Sequence, residues 1–174
     1  MKKALFILLP LIVIAIVIYA YLGGFKSIEK SKEDNMLVHI AGIEYEGKIG
    51  SDSLNQLFMQ SKALVESEDA ADAIAIAYYG EADSKTGQVR NFIGVAINEE
   101  PIYEMPKNWQ IKTFKRKTSI KGCIEANVLA MPTPDDMLQE LKVYAEQNSI
   151  PVDSMFIEFY PGPNQLCVQL LGVE

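Results

Sequence analysis

The chain opens on an apolar block. Residues 4–24 carry no charged side chain, and these 21 residues would reach about 30 Å as a helix, the thickness of a bilayer's hydrocarbon. Pro10 lies in the first half, where a membrane helix absorbs a mild kink. Lys2 and Lys3 precede the block as they would in a signal peptide. The apolar core exceeds the roughly 7–15 residues of such a peptide, and it ends in Tyr19-Ala20-Tyr21-Leu22-Gly23-Gly24 without a small-x-small cleavage site. An uncleaved transmembrane anchor over residues 4–24 is therefore expected. Lysines flank it almost evenly (Lys2 and Lys3 against Lys26, Lys30 and Lys32), and the signal-like start favours a domain outside the cytoplasm.

A polar run, residues 25–35, follows as an expected tether. Met36-Leu37-Val38-His39-Ile40, continuing through Ile43 and Tyr45, reads as a strand ended by Gly47 and Gly50. The period then changes. Leu54, Leu57, Phe58, Ser61, Leu64 and Val65 recur at helical spacing over residues 51–66, with Ser51 or Asp52 as the cap. Alternation returns at Ala73-Ile74-Ala75-Ile76-Ala77-Tyr78-Tyr79, and the turn Asp83-Ser84-Lys85-Thr86-Gly87 predicts a hairpin with residues 88–98. A crossing segment holds Pro101 and Pro106.

The same order then repeats. An extended run over 110–131 leads to Thr133-Pro134-Asp135-Asp136, which has a cap residue, a proline at the first helical position and acids against the dipole. Met137, Leu138, Leu141, Tyr144 and Ala145 give a second helix, over 134–148, its apolar stripe. Strands 155–160 and 165–173 close the chain around Pro161-Gly162-Pro163-Asn164. Leu57-Phe58 aligns with Met137-Leu138, Ala77-Tyr78-Tyr79 with Glu158-Phe159-Tyr160, and Phe92-Ile93-Gly94-Val95 with Leu170-Leu171-Gly172-Val173. The expected fold is α+β: two βαββ repeats, about 36–99 and 110–174, forming one domain over 36–174, an antiparallel sheet with two helices on one face.

Charge narrows the partners. From Glu33 onward 11 Lys and Arg stand against 22 Asp and Glu, a net of −11. Such a surface repels phosphate backbones, so no nucleic-acid partner is expected. The one basic cluster, Lys112, Lys115, Arg116, Lys117 and Lys121, reads as a solvated strand, with a face towards anionic lipid headgroups as the alternative. Cys123 and Cys167 sit in apolar runs and form no CxxC; buried free thiols are expected, with one interstrand disulfide as the alternative if the domain lies outside the cytoplasm. His39, the only histidine, reads as partly exposed near the start of its strand. No His/Cys cluster has metal-ligand spacing and no glycine-rich nucleotide loop occurs, so no metal, cofactor or catalytic residue is assigned.

One segment combines rings with a charge. Strand alternation puts Phe156, Glu158 and Tyr160 on one face, which suits a groove, and Met155, Ile157 and Phe159 on the other, expected under the helices. The position aligned with Glu158 in the first repeat is Ala77, so the repeat itself does not demand an acid.

The doubled βαββ pattern resembles the GyrI-like small-molecule-binding domain, the effector-binding domain of AraC- and MerR-type regulators, related to the SOUL fold. The resemblance is carried by Tyr45-Glu46-Gly47 before a helix, by the hairpin Ile76-Ala77-Tyr78-Tyr79 with Phe92-Ile93-Gly94-Val95, and by Glu158-Phe159-Tyr160 before a proline-rich turn. It covers about residues 36–174. It implies a groove for amphipathic, often cationic or aromatic small molecules, with the strand glutamate, Glu158, facing the ligand. Tyr160 and Phe156 would be its neighbours, and Tyr79, Trp109 and Phe114 further walls. The chain has no helix-turn-helix region, and the membrane anchor departs from the resemblance. Two other readings stand beside a membrane-anchored sensor, carrier or buffer. One is a hydrolase of strained small molecules, using Glu158 with Tyr160 and Trp109; the other is a protein–protein interaction domain.

Overall fold

The computed structural model describes residues 2–67, 71–97 and 105–173, with the side chains of the first helix described from Leu9 onward. Asn98 and Pro101, expected at the end of the first hairpin and in the crossing segment, lie outside the described residues.

Helix α1 (Lys2–Tyr21) forms over the apolar block. Among the described residues no helix is long and apolar enough to cross a membrane, so the fold does not establish the expected span. After it come β1 (Glu29–Lys48), α2 (Asp52–Ser67), β2 (Ala71–Tyr78), β3 (Gln88–Ile97), β4 (Gln110–Glu125), α3 (Pro134–Gln147), β5 (Val152–Gly162) and β6 (Gln165–Gly172). Two βαββ units are thus present in chain order. Strand β1 begins inside the run read as a tether, because Glu29 already faces Cys123 across a ladder with β4.

The six strands are antiparallel throughout and close into a barrel in the order β1-β3-β2-β5-β6-β4. Closure was not foreseen from the sequence, since each repeat alone gives a half-sheet. It depends on the long β1–β4 ladder and on sharp coiling where Gly42 faces Gly94. A Cβ on Gly94 would stand 1.9 Å from the Ala41 carbonyl oxygen, so only glycine permits that approach. At Asn35, with φ of 59°, the inward–outward alternation of β1 changes phase, which lets one strand serve two curved sections.

Two layers of packing follow. The barrel interior is filled by Met36, Ile40, Ala73, Ala75, Ala77, Phe92, Phe114, Ile157, Phe159, Cys167 and Leu171, drawn from all six strands. The helices lie together on the other face. Helix α3 seats Met137, Leu138, Leu141 and Ala145 against Ile120, Ile124, Val168 and Leu170. Helix α2 seats Leu54, Leu57 and Phe58 against Tyr45, Ile76, Val89 and Ile93. Thr133 caps α3 with a full capping box closed by Asp136, and Ser51 accepts from the Leu54 N–H at the start of α2. The helices differ in depth: α3 buries four side chains fully, whereas α2 buries only Ser61.

Three expectations change. Ile157 and Phe159 point into the barrel, not under the helices, and it is Phe156 that lies on the helix-bearing face. The repeat alignment sets residues of opposite faces together: Ala77 faces the interior, whereas Ile76, which pairs with Glu158, shares the face of Glu158. A slip of one residue exchanges the two faces of a strand. The cysteines are bonded to each other, Cys123 to Cys167 across the β4–β6 ladder with a Cα–Cα distance of 4.1 Å, not free. The basic cluster is largely paired: Lys112 with Glu44, Arg116 with Asp153, Lys121 with Glu33. His39 is half-buried and hydrogen-bonds Thr113 at 2.9 Å.

Candidate functional site

Glu158 occupies the middle of β5 on the helix-bearing face, where the α2-covered and α3-covered clusters meet. Tyr78 and Tyr160 belong to both clusters and mark that seam. The carboxylate is 5% exposed. Its Oε2 accepts a hydrogen bond from the Tyr160 hydroxyl at 2.8 Å and a longer one from the Tyr78 hydroxyl at 3.4 Å. Oε1 has no hydrogen-bond partner among the described residues.

Four rings surround this acid. Tyr78 stacks on Phe156 with centroids 4.7 Å apart and planes within 11°. Phe58, from α2, meets Tyr160 edge to face at 5.6 Å. These contacts follow from the pairing: Tyr78 lies opposite Phe156, and Ile74 opposite Tyr160, on either side of the Ile76–Glu158 pair. The seam is therefore a packed box of four rings about one buried carboxylate, a setting in which a cation with apolar bulk of its own would be favoured.

Burial sets the electrostatics. It pushes the Glu158 carboxyl up from 4.5 to about 7; the Tyr160 hydrogen bond opposes this, the charge of Asp135 in the first turn of α3 adds to it, and the Tyr78 hydrogen bond opposes it again. Burial, reinforced by the charge on Glu158, also pushes both tyrosine hydroxyls well above their ordinary range, so they remain donors. The folded chain thus holds a proton on Glu158 that the unfolded chain releases near pH 4.5. Stability should fall as pH rises through the window from 4.5 to about 7, by about 3 kcal/mol. Urea unfolding of wild type and Glu158→Gln at pH 4.5 and pH 8 checks this. The difference in stability between the two chains should shift by about that amount in favour of the glutamine, and an unchanged difference would contradict it.

The structure brings together three of the six residues singled out in sequence, Glu158, Tyr160 and Phe156. The other three lie elsewhere. Tyr79 faces the barrel end, where its hydroxyl donates to Glu44 at 2.9 Å and receives a hydrogen bond from Lys112 at 2.9 Å. Phe114 lies inside the barrel near Phe92. Trp109 packs with Ala41, Val95 and Ile97 in a separate cluster. Tyr78 and Phe58 complete the box and were missed as site residues. Setting the repeat against Ile76 rather than Ala77 would have put Tyr78, not Tyr79, on the face of Glu158.

No family model matches the chain, and no curated protein matches it. Several solved structures share its fold. A hydrolase from Listeria innocua aligns with a TM-score of 0.55 at 7% identity, over 83% of this chain and 92% of that one. An uncharacterized conserved protein from the same organism aligns at 0.55 and 9%, over 82% and 91%. EcmrR, in a DNA complex, aligns at 0.51 and 12%, over 99% of this chain and 71% of its own. Identities this low establish the architecture alone: an antiparallel six-stranded α+β domain of a kind found in more than one functional setting.

Proposed function

We propose that this chain is a membrane-tethered binding module for small amphipathic cations, with Glu158 reading the charge. One observation carries the reading: a carboxylate buried at a helix–helix seam, held by two tyrosine hydroxyls and walled by four rings. Nothing in the barrel requires an acid there, since Ile76 fills the paired position on the adjacent strand. A lone buried carboxylate is costly unless it is neutral or paired, and a cation that brings apolar surface relieves both burdens together. The resemblance to GyrI-like effector-binding domains points the same way. So does helix α2, which covers the box with Phe58 yet is anchored by only one fully buried side chain, and so is the element that would lift to admit a ligand.

The test is calorimetric titration with tetraphenylphosphonium and with neutral triphenylphosphine oxide at pH 8. Glu158→Gln should keep the fold and weaken the cation about tenfold or more, roughly 1.4 kcal/mol, while the neutral compound changes little. Equal losses for both compounds, or none, would refute the role of the charge. The hydrolase alternative, which uses Glu158 with nearby aromatics, keeps Tyr160 and loses Trp109, which belongs to another cluster.

Membrane attachment through residues 4–24 is part of the same proposal. From Leu9 onward the apolar side chains of α1 are exposed, without a core to cover them. At its base the Asn127 N–H donates to the Leu22 carbonyl at 2.9 Å, bringing the following loop, with Val128 70% and Leu129 83% exposed, to the helix end beside exposed Tyr21 and Phe25. Aromatic and aliphatic side chains at one level suit a bilayer interface. The Cys123–Cys167 bond favours an oxidising compartment, hence a domain outside the cytoplasm. The natural protein should sediment with membranes and resist carbonate extraction. A soluble protein whose mass begins near Lys26 would contradict this.

A further inference from the structure

A second polar group lies buried beside the box with nothing to bind. Asn91, on β3, is 0% exposed, and neither its Nδ2 nor its Oδ1 has a hydrogen-bond partner among the described residues. Strand alternation and pairing place it on the helix-bearing face, opposite Tyr45 on one side and Tyr78 on the other. Both flanking hydroxyls are engaged elsewhere. Tyr45 donates to the Lys48 carbonyl at 2.9 Å and is 2.6 Å from the Ser51 hydroxyl, while Tyr78 donates to Glu158. The α2 side chains packed on this part of the face, Leu54, Leu57 and Phe58, are all apolar and offer the amide nothing.

An unpaired amide in such a layer costs stability, and an aliphatic side chain would fill the place at less expense. Its position relative to Glu158 is fixed by the ladder. Asn91 lies two strands from Glu158, across β2, and one same-face step along, because Tyr78 faces Asn91 while Ile76 faces Glu158. At about 4.8 Å per strand and about 6.8 Å per same-face step, the two positions are roughly 12 Å apart at their Cα atoms. The ring of Tyr78 lies between them.

We infer that Asn91 is a specificity-determining residue of the Glu158 site, selecting flat aromatic cations that carry a hydrogen-bonding group, such as an aryl amine, roughly 10 Å from the end that meets the carboxylate. This rests on the cation-binding reading above and narrows its ligand class. The ring of Tyr78, backed by Phe156, stacks on the body of the guest, Glu158 takes the charged end, and the Asn91 Oδ1 accepts from the far amine. A ligand amine would supply the partner that the folded chain withholds, which is why recognition there should be steep.

A matched pair of probes tests the inference: 3,6-diamino-10-methylacridinium, with amino groups at both ends of the ring system, and 3-amino-10-methylacridinium, with the same rings and charge but an amine at one end only. Fluorescence titration of the full chain should show a preference of about tenfold for the diamino compound. Asn91→Val should abolish that preference while leaving binding of the monoamine unchanged. In the wild-type chain, the Asn91 side-chain amide resonances should shift on adding the diamino compound and not the monoamine, a readout that does not depend on the variant folding. A preference that survives in Asn91→Val, an equal loss for both probes, or an amide that ignores the diamino compound would each overturn the inference. Glu158-dependent binding of both probes with equal affinity would overturn it alone; failure of both probes to bind would overturn it together with the reading it rests on.

Discussion

Leu141→Ala should destabilise the domain by about 2–5 kcal/mol, measured as a shift in urea-unfolding free energy. Leu141 is fully buried at the centre of the α3 stripe, against β4 and β6. Beneath it the sheet has given way to the leucine: a Cβ on Gly122 would come within 2.8 Å of the Leu141 Cδ2. A residue seated over a glycine leaves a cavity that the backbone cannot fill by small shifts, so the cost should fall towards the upper part of that range. A loss below about 1 kcal/mol would mean that α3 is not held by its stripe. The corresponding residues of α2 are only half-buried, and Leu57→Ala should cost visibly less, as befits the helix proposed to move.

Replacing Cys123 and Cys167 together with alanine should cost about 4 kcal/mol by the loop-closure relation, since the bond spans a sequence separation of 44 residues. The bond ties β4 to β6 in the second repeat and faces the barrel interior, so reduction should loosen that repeat first. Unfolding midpoints with and without reductant measure this. Indistinguishable midpoints would show that the ladder holds without the bond and would remove one support for an oxidising compartment.

The helices and hairpins were legible because each carries local chemistry. Thr133-Pro134-Asp135-Asp136 announces a helix start through capping and dipole, and the Asp83 carboxylate closes its turn by accepting from the backbone of Lys85 and Thr86. Barrel closure was not legible, because the β1–β4 ladder joins residues far apart in sequence and a polar stretch such as Glu29–Asp34 shows no strand periodicity. The site was half legible. Glu158 stood out as a charge among rings, and strand alternation correctly set Phe156 and Tyr160 beside it. Tyr79 looks like Tyr78 in sequence, whereas a single step along β2 decides whether a ring meets Glu158 or the barrel interior, and Phe114, on β4, is turned into the barrel by the same alternation. Asn91 carried no signal, since an unpaired amide becomes visible only once its neighbours' hydroxyls are seen to be occupied.

The most direct measurement of the central claim is proton release on ligand binding. At pH 6 a Glu158 carboxyl pushed up to about 7 is mostly protonated, and a cation seated on it should expel that proton. Titration calorimetry of tetraphenylphosphonium in two buffers of different ionisation enthalpy should give close to one proton released per cation bound at pH 6, falling towards zero by pH 8.5. Glu158→Gln should release none at either pH. Binding of equal strength with no proton released by the wild-type chain at pH 6 would place the cation somewhere other than Glu158 and contradict the account.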